Sequence, residues 1–291
     1  MSEVAQVMIL GLLQGGVYAL MASGLTLMFG VMRIVNLAHG VFIIAACYVA
    51  YFLFVGPGWD PFASLLVTIP LFFLLGMVIY RSLFPRIEGS QRFSEMTVLL
   101  TFGIALVVEG FLSYFFTGTF RSTNPPYTTD AILIGDLFIP TAQLYASMTS
   151  LILLLALWGF LFLTRTGYAV RATMQNRTAA QIVGVNVRRI STIAFAIGMA
   201  LAGASGSLIS FLYPFFPNSH WRWIAILLAL IVLGGLGSLK GAVVGALMLA
   251  VAAAFVSDMF GATWAPITFF GALFLVLLIR PQGLFGREAR V

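Results

Sequence analysis

The sequence predicts an all-α protein, a polytopic transmembrane helix bundle of about eight to ten membrane segments, some of them broken or re-entrant. Hydrophobic residues make up 61% of the chain and charged residues only 8%, whereas soluble domains carry about 25% charge. The apolar residues also come in windows of about 20, the length that a helix needs to cross a hydrocarbon core about 30 Å thick. A barrel would show short alternating strands instead.

One membrane domain is predicted to fill residues 1–291, since no linker or low-complexity stretch divides the chain. The first apolar run is too long for the h-region of a cleaved signal peptide, so we expect a mature helix there. Residues 118–142 should form an irregular outer loop. The predicted helical runs are residues 4–29, 37–55, 62–84, 95–117, 143–163, 191–212, 223–233, 242–257 and 264–279.

Basic residues are distributed unevenly between the two sides of this bundle. If the runs alternate from an outer N-terminus, the inner segments hold Arg33, Arg81, Arg86, Arg92, Arg165, Arg171, Arg177, Arg188, Arg189, Lys240, Arg280, Arg287 and Arg290. The outer segments hold Arg121, Arg222, Asp60, Asp130, Asp136 and Asp258. This asymmetry follows the positive-inside rule. The net charge of +6 therefore reflects topology, and without a basic patch interleaved with aromatic residues it does not indicate nucleic acid binding.

The segment 164–190 is the only long polar stretch with helical character, and it carries five of the fifteen basic residues. Because it separates two membrane-length apolar runs, we expect it to stay in the cytoplasm as a coupling loop on which a soluble partner pushes. Arg171 and Arg177 lie six residues apart and do not share a helix face, so separate contacts are expected for them.

A pattern of small residues lies inside this loop. Ala179 and Ala180 would let a short helix seat closely in a cleft of a partner, and Gly184 could end that helix in a left-handed conformation. In isolation, Ala-Ala-x-x-x-Gly is more typical of plain packing. Its position in the most basic inner loop is what favours a role in coupling.

Two Gly-rich interruptions break the apolar pattern, at residues 29–40 and 234–241. The run 223–233 is too short to cross a bilayer at about 1.5 Å per residue, so we expect a broken or re-entrant element there. Irregular backbone at membrane depth survives only inside protein or beside water, so such breaks indicate a translocation pathway. The candidate pathway residues in the breaks are Asn36, His39, Gly40, Gly234, Gly235, Gly237 and Ser238.

These candidates also have structural alternatives. Asn36 and His39 carry polar groups in apolar surroundings, where each needs a partner, and they could brace the broken helix rather than gate a path. The glycines of 234–237 could serve close helix packing, or they could line a backbone constriction opposite residues 36–40. The sequence leaves both interpretations open.

Glu109 is the carboxylate predicted to lie deepest in the bilayer, well inside the apolar run 101–116. Intramembrane carboxylates face the bundle interior and are functional candidates. Glu109 could hold the ammonium group of a substrate or relay a proton in the pathway. Equally, it could be an architectural residue paired with Arg33 or His39.

Motifs for other chemistry are missing from the sequence. It contains no Gly-x-x-x-x-Gly-Lys-Ser/Thr phosphate loop, so an energy source would lie on another chain, and no cofactor is expected in this one. His-Glu-x-x-His and Gly-x-Ser-x-Gly are absent and Ser205 has no evident base, which argues against a membrane hydrolase. The single Cys47 excludes disulfides and multi-cysteine metal sites.

Four segments carry more specific motifs. They are Gly24 to Gly40, with Asn36-Leu37-Ala38-His39-Gly40; Gly167 to Gly206, with Arg171-Ala172-Thr173; Gly234-Gly235-Leu236-Gly237-Ser238; and Arg280-Pro281-Gln282-Gly283-Leu284-Phe285-Gly286. In this order they resemble the LivH-type branched-chain amino acid ABC permeases. The small-residue pattern of the coupling loop is similar to the Glu-Ala-Ala-x-x-x-Gly core of importer permeases, except that Thr178 stands where those have Glu.

The resemblance implies a permease subunit of an ATP-driven importer of amino acids, branched-chain or otherwise hydrophobic, in a bacterial inner membrane. It also implies a second, LivM-like permease, two cytoplasmic ATPase subunits that bind ATP and Mg²⁺, and a periplasmic substrate-binding protein. Permeases for amides, urea or small aromatic acids remain alternatives, as do a stand-alone secondary carrier and an assembly or sensor subunit. A secondary carrier should show coupling-ion carboxylates, for which only Glu109 qualifies.

Overall fold

The computed structural model describes residues 2–280 and 282–286 of the chain. Over these residues it is a bundle of α-helices, as the apolar composition predicts. The helices are α1 (Ser2–Met32), α2 (His39–Val55), α3 (Pro61–Leu83), α4 (Phe93–Phe116), α5 (Thr141–Leu163), α6 (Arg165–Gln175), α7 (Arg177–Ile182), α8 (Val187–Leu212), α9 (His220–Gly234), α10 (Leu239–Phe260) and α11 (Ala265–Ile279). Short 3-10 turns lie at Phe84–Arg86, Pro126–Thr128, Pro217–Ser219 and Ala262–Trp264.

The predicted irregular loop between α4 and α5 contains a β-hairpin, so that prediction is wrong in part. Strands β1 (Ala131–Ile134) and β2 (Leu137–Pro140) pair antiparallel, with Ile134 opposite Leu137. Gln6 of α1 fastens the hairpin, because its amide donates to the Phe138 carbonyl at 2.6 Å and accepts from the Phe138 N–H at 2.8 Å. Strands of four residues are too short to give a period that sequence reasoning can recognise.

In the part of the chain that the structure describes, seven helices are long and apolar enough to cross a membrane, namely α1, α3, α4, α5, α8, α10 and α11. Two others are apolar but shorter, α2 with 17 residues and α9 with 15. At 1.5 Å per residue α9 is about 22 Å long, less than the hydrocarbon core of about 30 Å. With the seven long spans, these two make nine apolar helices among the described residues, and the short ones are the two that follow or precede the sequence breaks.

Helix α8 lies at the centre of the bundle. Residues in 89% of its membrane window are buried, against 17% for α4 and 6% for α11. Its small side chains allow neighbours to come close, and a Cβ added at Gly203 would lie 2.6 Å from the Thr68 carbonyl oxygen of α3. All five residues from Ala202 to Gly206 are buried, so this run of small side chains serves close helix packing.

One end of the bundle gathers the segments predicted to be cytoplasmic. Arg177 of α7 pairs with Glu88 in the α3–α4 connection, with 3.1 Å between Nη2 and Oε1. Met174 of α6 packs on Gly30 near the end of α1. Of the predicted inner basic residues, Arg287 and Arg290 lie outside the described residues, as does Pro281 of the closing motif.

The opposite end gathers the segments predicted to be external. The Tyr127 hydroxyl donates to the Asp60 carboxylate at 3.2 Å, and Arg121 and Phe215 exchange backbone hydrogen bonds of 2.9 and 2.8 Å. Burial and the neighbouring Asp60 carboxylate raise the pKa of the Tyr127 hydroxyl, so it remains a neutral donor. The bundle therefore has two chemically distinct ends, which match the charge asymmetry in the sequence.

Candidate coupling surface and translocation path

The coupling loop is built from two short helices with side-chain caps. The Thr164 hydroxyl accepts from the Gly167 N–H at 2.9 Å and starts α6, and the Asn176 carboxamide accepts from the Ala179 N–H at 2.9 Å and starts α7. Gly184 follows α7 with a φ of +87°, the left-handed conformation that the sequence predicts at this position. The loop thus turns sharply before α8 begins at Val187, four residues earlier than predicted.

Helix α7 buries one side and exposes an apolar tip. Ala180 is buried and Ala179 is exposed, so the two predicted small residues lie on different sides. Beyond them, the side chains of Ile182 and Val183 are 80% and 77% exposed. Sequence reasoning missed this pair, although two adjacent aliphatic residues in a polar loop were a visible signal. Exposed apolar residues on a basic, hydrophilic end of a protein are typical of a contact surface for another protein.

Arg171 and Arg177 make separate contacts, as their spacing predicts. The Arg171 guanidinium lies 4.1 Å from the Phe162 ring centre and 4.7 Å from that of Tyr168, which places it against the end of α5. Arg177 reaches Glu88, in a pair about a third exposed that contributes about 0–1 kcal/mol. Both arginines therefore hold the loop onto its own bundle.

A chain of contacts leads from this loop into the membrane helices. The Met174 side chain of α6 packs on Gly30 of α1. Gly237 of the second break packs on the same glycine, since a Cβ added at Gly237 would lie 3.2 Å from the Gly30 Cα. The coupling loop, the inner end of α1 and the second glycine-rich break thus meet at one point.

The first break is a re-entrant segment inside the bundle. After α1 ends at Met32, the chain turns back along it, and His39 Nε2 contacts the Met21 carbonyl oxygen at 3.2 Å. Met21 lies eleven residues before Met32, about 16 Å back along the helix. Helix α2 therefore begins at membrane depth, beside the middle of α1.

Asn36 and His39 of this break are fully buried, and each makes a hydrogen bond, while His39 Nδ1 has no partner among the described residues. The Asn36 side chain accepts from the Ala38 N–H at 3.1 Å and contacts the Met28 sulfur at 3.3 Å. His39 must donate from Nε2, because the Met21 carbonyl only accepts. These hydrogen bonds hold the irregular segment against α1, which is the structural alternative for Asn36 and His39. Gly40, at the end of the segment, packs closely on His220 and Ile224 of α9.

The second break is closed by backbone. Gly235 and Gly237 have φ values of +95° and +82°, and the Ser238 hydroxyl starts α10 by accepting from the Gly241 N–H at 3.1 Å. The closing segment 282–286 lies on this turn, with hydrogen bonds to the carbonyls of Leu233 and Gly234. The glycines of residues 234–237 therefore serve close packing, which is the structural alternative that the sequence left open for them.

The two breaks meet where Gly237 packs on Gly30, but the far end of the first break lies elsewhere. Gly40 packs on the first residues of α9, whereas the glycine turn follows the last residue of α9, about 22 Å away along that helix. A constriction formed by residues 234–237 opposite Gly40 is therefore excluded in this structure. The sequence contained no signal of which end of α9 each break would touch.

Glu109 has a partner that the sequence analysis did not name. Its Oε2 atom lies 3.0 Å from Nε2 of His220, the first residue of α9, and neither Arg33 nor His39 is its partner. His220 is fully buried, and the Glu109 side chain is 17% exposed. Next to His220, Trp221 tilts against Phe102 of α4 with ring centres 5.8 Å apart. The predicted partners of Glu109 are therefore wrong, and the structure pairs it with His220 instead.

Comparison with known proteins of similar sequence identifies the family of this chain. The profile of the family described as branched-chain amino acid transport system, permease component, matches residues 7–279. The high-affinity branched-chain amino acid transport system permease protein BraD of Pseudomonas aeruginosa is 30% identical over 97% of this chain and 95% of its own length. The permease protein LivH of the corresponding system of Escherichia coli K12 is 28% identical over the same shares.

Two further likenesses bear on assembly and fold. LivM of Escherichia coli K12, also named as a permease of that system, is 31% identical over 120 residues, which are 40% of this chain and 28% of LivM. The solved structure of PsaBC from Streptococcus pneumoniae in complex with Fab shares the fold, with a TM-score of 0.50, 13% identity and coverage of 94% and 92% of the two chains. The likeness to both LivH and LivM implies a transporter complex with a second permease. The chain belongs to the branched-chain amino acid ABC transporter permeases, multi-pass membrane subunits without an ATPase site of their own.

Proposed function

We propose that this chain carries branched-chain or other hydrophobic amino acids across a bacterial inner membrane by alternating access, paired with a LivM-like permease. Two cytoplasmic ATPase subunits that bind ATP and Mg²⁺ drive the cycle, and a periplasmic binding protein delivers the substrate. The family and the names of its members support this assignment. Motion enters through Arg171, Arg177, Ala179, Ala180 and Gly184 and their helices.

The observation that carries the proposal is the apolar tip of α7. Ile182 and Val183 are exposed at the end of the bundle that holds most of the basic side chains, next to a left-handed turn that fixes their position. The same loop touches α1 through Met174 of α6, so a push on α7 reaches a membrane helix by way of α6. An ATPase subunit with an apolar cleft fits this surface.

A double substitution tests the surface. Ile182→Ser with Val183→Ser should abolish co-purification of the ATPases and reduce ATP-dependent L-leucine uptake by roughly tenfold or more, since buried aliphatic anchors dominate such interfaces. The matched control is Ile132→Ser with Leu133→Ser, a pair 41% and 72% exposed on the hairpin at the opposite end. Uptake is measured in proteoliposomes that contain both permeases, the ATPases and the binding protein.

Two results would overturn the proposal. The first is leucine movement by the purified chain alone, because it would indicate a stand-alone carrier. The second is full ATPase binding by the α7 double variant, because the tip would then make no contact with them. If the complex transports urea, amides or aromatic acids but no aliphatic amino acid, the assignment as an ATP-driven importer still holds and only the proposed substrate is wrong.

Gly184 offers a finer test of coupling. A side chain at its φ of +87° strains the turn, although nothing lies within 4 Å of the added Cβ. Gly184→Val should leave membrane insertion intact and lower the leucine imported per ATP hydrolysed by roughly threefold or more, for a strain of about 1–2 kcal/mol. Gly58→Val is the control, since Gly58 has a φ of +74° and equally open space in the α2–α3 connection.

A further inference from the structure

Glu109 occupies an unusual position among the acidic residues. In the described helices, Glu3 and Glu95 lie in first turns and Asp258 lies in a last turn, whereas Glu109 lies about two turns from the nearer end of α4. Its partner His220 begins α9, and Trp223 one turn later packs on Tyr18, halfway along α1. The Glu109–His220 pair therefore lies at membrane depth.

Only half of this carboxylate is satisfied inside the chain. His220 holds Oε2 at 3.0 Å, while Oε1 accepts no hydrogen bond from the described residues and is not enclosed by them. A carboxylate oxygen directed at lipid would cost several kcal/mol, so this face of α4 must meet water, a polar ligand or another protein. A purely structural brace would bury and bond both oxygens.

The surroundings of Oε1 are apolar and open. Leu106, one helical turn before Glu109, is 46% exposed, and nothing lies within 4 Å of the Cβ position of the adjacent Gly110. Farther along the same face, Phe102 and Trp221 form an aromatic wall. A single charged group among aliphatic and aromatic side chains fits a ligand that has one cationic group and an apolar body.

We propose that Glu109 binds the ammonium group of a transported amino acid within the membrane, with His220 as the positioning residue that directs Oε1 outward. The proposal rests on the proposed function, which supplies a substrate with that chemistry. Leu106 and the aromatic wall would contact the substrate's aliphatic side chain. His220 does not touch the substrate, because it is fully buried behind the carboxylate.

The first test is uptake of L-leucine by the reconstituted complex with Glu109→Gln. The amide keeps the shape and can still accept from His220 but lacks the charge, so uptake should fall roughly tenfold or more, as for the loss of a charged hydrogen bond. Glu95→Gln, in the exposed first turn of the same helix, should leave uptake unchanged. Normal uptake by E109Q would overturn the proposal.

A second test distinguishes ligand contact from a structural role. The only cysteine, Cys47, is fully buried, so Leu106→Cys places a single accessible thiol one turn from Glu109. Excess L-leucine should slow its reaction with a trimethylammonium methanethiosulfonate in the complex by roughly threefold or more, and E109Q should remove that protection. Protection in the chain with Glu109 intact does not depend on whether E109Q folds.

The outcomes separate the two proposals. A natural complex that fails to import leucine contradicts the proposed function, whatever Glu109 does. A complex that imports leucine while leucine gives L106C no protection, or protects it equally with E109Q, overturns the ammonium site alone. The ammonium site also fails if L106C reacts in the isolated subunit but not in the assembled complex, because the second permease then covers Glu109.

Discussion

The two interruptions of the apolar pattern look alike in the sequence and are closed in different ways. At residues 33–40 the irregular backbone is braced by polar side chains, since Asn36 caps its own turn and His39 bonds α1. At residues 234–241 the closure is backbone against backbone, with the segment 282–286 hydrogen-bonded to the end of α9. Buried polar groups need partners in both places; the first break supplies them from Asn36 and His39, whereas the second uses backbone and the Ser238 hydroxyl.

This difference has a mechanical consequence. A break held by side chains can exchange its hydrogen bonds one at a time, whereas a glycine turn packed backbone against backbone has no room to adjust. The rigid turn also touches Gly30, where Met174 of the coupling loop packs. We therefore expect the glycine turn to transmit displacement and the polar break to accommodate it.

Among the substitutions that test this contrast, the largest loss of stability is expected at the glycine turn. Gly234→Val would place Cβ 2.5 Å from the Gly241 carbonyl oxygen and 2.6 Å from the Ala242 nitrogen. Because backbone cannot move aside, we expect a loss of roughly 3 kcal/mol or more of stability, as for severe overpacking. On heating in detergent, the buried Cys47 thiol should react with a maleimide dye at a lower temperature.

Gly271→Val is the matched control for that substitution. Gly271 lies inside α11 with nothing within 4 Å of its Cβ position, so valine there should leave the reaction temperature of Cys47 nearly unchanged. If Gly234→Val were as stable as Gly271→Val, the glycine turn would be adjustable. The contrast between the two breaks would then be lost.

The features of the fold that depend on local sequence pattern could be predicted from the sequence. The spans follow from apolar length, the ends from charge, and the left-handed turn at Gly184 from its position after a short helix. What it could not supply depends on pairing between distant segments. Glu109 and His220 are 111 residues apart, and nothing in either neighbourhood marks the other.

The position of the glycine turn was missed for the same reason. Its likeness to the first break suggested that it lies opposite residues 36–40, but Gly40 packs at the other end of α9 and the turn meets the first break at Gly30 instead. The segment that covers the turn comes from residues 282–286, whose motif resembles the family without revealing its contact. Long-range packing, and not local propensity, decides which break faces which helix.

A smaller effect is expected at the polar break, and it measures how far side-chain bracing differs from backbone closure. Asn36→Leu keeps the volume but leaves the buried Ala38 N–H without its acceptor, which costs about 1–3 kcal/mol. Asn124→Leu, an exposed residue of the outer loop, is the control and should cost less than about 0.5 kcal/mol. The Cys47 reaction on heating measures both, and it should place Asn36→Leu between Asn124→Leu and Gly234→Val. If Asn36→Leu proved more damaging than Gly234→Val, the polar break would be the rigid one, and displacement from the coupling loop would have to be absorbed at the glycine turn instead.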